Sequence, residues 1–161
     1  IRDRSPSRGL GDVYKRQLGK YYEAADGTRV DFLGGINVYT TASDKRMIGN
    51  FVYEYTRDNG ETFPIVGFEN HNGQTWLGEG VQPMGKILKG YGNNGEDGTE
   101  GARYKNVFAT YSHGPLLAKN ARIADELLGI AYERKYSEAL PPLEHDMEDA
   151  ALNDVKQQLG C

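Results

Sequence analysis

Val107-Phe-Ala-Thr-Tyr-Ser-His113-Gly-Pro-Leu-Leu117 reads as a short strand that stops and presents a histidine at its carboxyl end. From Asn120 onward, Ile123, Leu127 and Ala131 recur at helical spacing, with Ala124 and Leu128 beside them. Asn120 is placed to cap that helix. Asp125 and Glu126 lie early in it, and Arg134 and Lys135 late, as the helix dipole prefers. A buried-looking strand that feeds a helix belongs to α/β architecture. In open α/β sheets, catalytic groups and ligands sit at the carboxyl ends of strands. His113 is therefore the first candidate site residue.

Working outward, Phe51-Val-Tyr-Glu-Tyr-Thr56 alternates and is rich in strand formers. Asp58-Asn59-Gly60 is a turn signal, and Phe63-Pro-Ile-Val-Gly-Phe-Glu69 returns, so 51–69 reads as a hairpin. A hairpin inside an α/β pattern makes the expected sheet mixed rather than wholly parallel. Leu18-Gly-Lys-Tyr-Tyr22 reads as the tail of a helix, Ile36–Thr40 as a strand, and Thr41–Lys45 as a loop. Thr75-Trp76 and Met84–Lys89 are further short strands, and 90–101 is a polar, glycine-rich surface loop. Pro141-Pro142 ends the helical unit; 143–159 form a second acidic helix or a frayed tail.

The 161 residues suit one domain or a large part of one, and no apolar run of about 18 residues spans a membrane. Residues 1–17 hold five of the nineteen basic and two of the twenty-three acidic residues, so they carry +3 and the rest −7. An acidic body argues against nucleic-acid binding, which needs a basic face. Residues 1–17 show no helical or strand periodicity and resemble translated sequencing-adapter text, so they are set apart from the fold as non-native; a basic arm is the other reading. The expected organisation is 1–17 as that segment, 18–140 as the domain, and 141–161 as an acidic tail. One cysteine and no visible secretory signal fit a cytoplasmic protein.

Several motifs are weighed against blander readings. Gly90-Tyr-Gly92-Asn-Asn-Gly95 matches G-x-G-x-x-G, but acidic Glu96, Asp97 and Glu100 follow where a phosphate site needs a helix N-terminus. The same loop lacks the calcium-binding EF-hand spacing. Glu69 and His71 are two possible metal ligands, and two do not define a site; hydrogen bonding in the core or a turn explains them as well. His145, among Glu144, Asp146, Glu148 and Asp149, reads as a solvated helix face. Ser112 lacks the glycines of a nucleophile elbow. Arg46 alone would be an ordinary surface arginine.

Three separated stretches, 66–75, 90–101 and 104–120, together resemble the GatD family, the glutamine-hydrolysing subunits of lipid II isoglutaminyl synthases. That family is a cobyric-acid-synthase-like branch of class I glutamine amidotransferases. The resemblance runs from about Leu18 to Tyr136. It implies a partial flavodoxin-like α/β/α class I glutamine amidotransferase domain with a mixed sheet. It implies His113 as the catalytic histidine and Arg46 as the residue that binds glutamine. A planar guanidinium suits an α-carboxylate.

The family's nucleophile elbow has the form C-x-G-x-Q-x-L-G. Leu18-Gly19 match its end, which puts the cysteine at Asp12, the glycine at Tyr14 and the glutamine at Arg16; none matches, and Cys161 stands at the far end. The chain as written thus lacks the nucleophile. Pro115 occupies the place where many class I members carry an orienting glutamate. The resemblance implies a MurT-like ATP-dependent ligase partner that handles lipid II and supplies that acid, L-glutamine as substrate, and no cofactor or metal. Two other readings stand beside it: a cobyric-acid-type amidotransferase, and a non-catalytic binding module in which His113 is structural.

Overall fold

The computed structural model describes residues 18–160. The expectations for 1–17, and Cys161, lie outside the described residues. In chain order the elements are β1 (Tyr21–Glu23), β2 (Arg29–Asp31), β3 (Val38–Thr56), β4 (Thr62–Leu77), β5 (Gly85–Lys89), β6 (Thr99–Glu100), β7 (Ala102–Tyr104) and β8 (Val107–Ala109). Three helices follow: α1 (Leu116–Lys119), α2 (Ala121–Tyr136) and α3 (Asp146–Leu159). The described residues are thus α/β with a mixed sheet.

β3 is the spine. β4 runs antiparallel along one edge of it, while β1 (parallel) and β5 (antiparallel) share the other edge in succession; β2 and β6 extend the sheet to six strands. The hairpin expected over 51–69 is present and much longer: Thr56 pairs with Thr62 at its tip and Val38 with Leu77 at its base. The expected loop at 41–45 lies inside β3. Between Ala42 and Met47 the register shifts, so four residues of β3 face one of β4. A bulge lets the strand continue through polar residues that a simple alternation would assign to a loop. At the start, Leu18 is helical, but Tyr21 and Tyr22 already belong to β1.

The centre of the hairpin is covered on both faces, since the paired Val52 and Val66 are buried opposite the face of Phe51, Tyr53 and Tyr55. Phe51, Tyr53 and Tyr55 on β3 and Phe63 and Ile65 on β4 form one core with Met84 and with Ile123 of α2. Each such buried side chain stabilises the fold by roughly 1.5–3 kcal/mol. α2 begins where the helical spacing placed it, yet Asn120 makes no side-chain capping bond. The amide instead bridges to β4: Oδ1 accepts the Val66 N–H at 2.8 Å and Nδ2 donates to Val66 O at 2.9 Å. α3 packs against β4 and α1, and its last turn receives a hydrogen bond from Lys89 Nζ to Leu159 O.

β8 departs from expectation. It pairs with β7 in a separate two-stranded sheet and not within the main one. Lys105, at positive φ, makes the tight turn between them. β7 was too short to stand out, and a partner three residues away is easier to reach than a distant strand. Among the described residues, no helix is long and apolar enough to cross a membrane.

Candidate active site

After β8 the chain runs alongside the free edge of β4. His113 donates its N–H to Phe68 O at 2.8 Å and accepts from Phe68 N–H at 3.4 Å, forming an antiparallel bridge. Directly paired residues point to the same face of a sheet, and so do residues two apart on one strand. His113 therefore shares a face with Phe68 and with Asn70. Asn70 Oδ1 accepts hydrogen bonds from Arg46 Nε at 3.1 Å and Nη2 at 2.7 Å. The two residues singled out in the sequence are joined through one rung of β4, with Phe68 and Asn70 roughly 7 Å apart by strand geometry. Asn70 was missed in the sequence, because nothing in Glu69-Asn-His71 shows which of the three faces the arginine.

The approach of His113 depends on Gly67. A Cβ there would lie 2.7 Å from Ser112 Oγ and 2.8 Å from Phe51 Cε1. Ser112 thus packs against the sheet at Gly67, one residue before the candidate histidine. Gly114, at φ +68°, turns the chain away immediately after it and into α1.

The face opposite His113 holds a buried polar layer. His71 Nδ1 lies 2.9 Å from Gly73 O, which can only accept, so that nitrogen carries a proton. The imidazole stacks on Tyr111, with ring centroids 3.6 Å apart. The Tyr111 hydroxyl meets Thr75 Oγ1 at 2.6 Å, which in turn meets Thr40 Oγ1 at 2.8 Å. Glu69 accepts the N–H groups of Tyr91 and Gly92, one on each oxygen, at 2.8 and 2.9 Å. His71 and Glu69 therefore serve core hydrogen bonding, the blander of their two readings. Among the described residues, no group of three His, Cys, Asp or Glu side chains is placed to hold a metal.

The 90–101 loop is a correction. Expected on the surface, it buries Asn93, Asn94 and Glu100 almost completely. Its carboxylates are already engaged: Asp97 Oδ1 accepts from Thr99, and Asp97 Oδ2 from Asn94 Nδ2. Polar composition signalled exposure, but Asn93, Asn94 and Asp97 find hydrogen-bond partners within the fold, and Glu100 does so through Oε1. His145 is a second correction. It precedes α3, and its Nε2 lies 2.5 Å from Asp125 Oδ2 on α2, so the residue pins two helices.

The mixed α/β sheet is consistent with a class I glutamine amidotransferase domain. Residues 16–121 match the CobB/CobQ-like glutamine amidotransferase domain, and the chain belongs to that family. It is 43% identical over 143 residues to the lipid II isoglutaminyl synthase (glutamine-hydrolyzing) subunit GatD of Staphylococcus aureus N315, covering 88% of this chain and 55% of that protein. To the GatD subunit of Streptococcus pneumoniae R6 it is 39% identical over 142 residues, covering 88% of this chain and 51% of that one. A probable cobyric acid synthase of Methanothermobacter thermautotrophicus is 33% identical over 132 residues, 76% of this chain and 24% of that protein. The chain thus spans about half the length of the GatD subunits it matches.

Proposed function

We propose that this chain is part of a glutaminase subunit that supplies ammonia for amidation of lipid II. The observation that carries the reading is the shared face of His113, Asn70 and Arg46. Higher identity to the two GatD subunits, over more of the chain, favours the cell-wall branch over the cobyric-acid branch. The domain is taken as 18–140, with 1–17 non-native and 141–161 a tail. The protein works in the cytoplasm beside a MurT-like ATP-dependent ligase that amidates the D-glutamate α-carboxyl.

In this reading a cysteine upstream of Leu18 attacks the side-chain amide carbon of L-glutamine as a thiolate. Arg46 holds the substrate's α-carboxylate with its planar fork. His113 donates a proton to the departing ammonia, then takes one from the water that cleaves the thioester.

The test restores the upstream reading frame with its elbow and measures ammonia release. His113→Ala should lower glutamine turnover by about 100-fold or more, as expected for a lost general acid–base. Turnover near the unmodified rate refutes the assignment.

A further inference from the structure

We propose that Glu100 is the positioning residue for His113, acting through the backbone of 110–112. The proposal rests on the reading of His113 as the acid–base group, because only that role requires the segment to be held so firmly.

Three consecutive N–H groups lead up to and include the histidine, and each has a different acceptor. Tyr111 N–H donates to Glu100 Oε1 at 2.6 Å. Ser112 N–H donates to Thr110 Oγ1 at 2.9 Å, and that hydroxyl donates to the same Glu100 Oε1 at 2.7 Å. His113 N–H donates to Phe68 O. Only the last is a sheet bond. Residues 110–112 belong to no strand, and one carboxylate does for them what a neighbouring strand does elsewhere.

Glu100 is fully buried, and it reaches the segment because Gly101 allows close approach. A Cβ on Gly101 would lie 2.7 Å from Ala109 O and 2.6 Å from Met84 Cβ. The Tyr53 hydroxyl lies in the same cluster with Ser112 and Thr110. Burial, and after it the Glu100 charge, push that phenol well above its usual range, so it keeps its proton as a potential donor there. Fixing the backbone that carries the imidazole sets its orientation from this side.

The experiment follows amide hydrogen exchange and histidine-ring signals by NMR in the 161-residue chain. It has three histidines, of which His145, hydrogen-bonded to Asp125 on α2, serves as the control. Glu100→Ala should speed exchange about tenfold or more at Tyr111, Ser112 and His113, while the amides of Phe51, Tyr53 and Tyr55 stay within about threefold. Glu100→Gln retains an acceptor oxygen and should fall between. Thr110→Val, nearly isosteric, should release Ser112 selectively. In each variant the His113 ring signals should shift or broaden while those of His145 stay fixed. If Glu100→Ala fails to fold, the Gln and Val variants carry the test. Unchanged His113 signals, or exchange raised uniformly across β3, overturn the proposal and leave Glu100 an ordinary core carboxylate. Because no activity is read, this outcome is independent of whether His113→Ala abolishes glutamine hydrolysis.

Discussion

Asn70 Oδ1 receives two hydrogen bonds from the guanidinium of Arg46, the last residue of the β3 bulge, at 3.1 Å from Nε and 2.7 Å from Nη2. One amide oxygen thereby sets the plane of the fork. In the proposed function Arg46 holds the substrate carboxylate, so both residues would act on ground-state binding. Arg46→Ala in a glutamine-hydrolysing form of the enzyme should raise the glutamine KM roughly 10–100-fold, the worth of a charge-assisted bond, with kcat little changed. Asn70→Ala should raise it less, about 3–10-fold, because the fork is loosened and not removed. Steady-state kinetics at several glutamine concentrations separate these outcomes from a loss of kcat.

Gly67 sets how closely the His113 segment can lie on the sheet. Gly67→Ala places a methyl against Ser112 Oγ and Phe51 Cε1, both under 3 Å. Overpacking of this kind costs about 1–3 kcal/mol, read as a lowered thermal midpoint. Adding Ser112→Gly should recover part of the loss, since one of the two clashes disappears. A Gly67→Ala variant as stable as the parent would mean that Ser112 has room to move.

Asn120 closes the open edge of β4 by standing in for a strand neighbour. Its amide pairs with both backbone groups of Val66 and donates to Leu116 O at 2.8 Å. Asn120→Ala orphans the Val66 N–H and C=O in a buried position, and each unsatisfied group costs about 1–3 kcal/mol. Urea unfolding should show a loss of about 2–4 kcal/mol. Ordinary loss of a helix cap is closer to 1 kcal/mol, so the size of the effect separates the bridging role from a capping one.

His145 makes stability depend on pH. Its hydrogen bond to Asp125, helped by the charges of Asp125, Glu148 and Asp149, raises its folded pKa above the ordinary 6.5, while burial opposes the shift. The folded state thus prefers the imidazolium. That contribution is complete below pH 6.5 and fades as pH rises through the raised folded value. The urea midpoint should fall across that window, and His145→Gln should flatten the fall. An identical fall in the variant would assign the pH response to another group.

Much of the architecture was legible in linear order. Tyr53 and Tyr55 alternate with polar residues and announce a strand, and the Asp58-Asn59-Gly60 turn announces its return. Ile123, Leu127 and Ala131 mark the helix by their spacing. His113 was legible as a candidate site residue, and Arg46 became a candidate only through resemblance to a family. The bulge at 43–46 was not legible, because a polar run inside a strand looks like a loop until a partner strand accepts it. Nor was Asn70, since choosing among three adjacent polar residues requires knowing the register.

The chain's own pattern determined a mixed α/β domain and a histidine at the end of an extended segment. Hydrophobic period and turn chemistry are local, so they are written in the sequence. The tertiary structure decided that β8 pairs with β7, that Asn120 bridges a strand edge instead of capping a helix, and that Glu100 is buried against Tyr111. Those outcomes depend on which distant backbone groups lack partners. Every buried N–H and C=O must find one, and that accounting closes only when the whole fold is assembled.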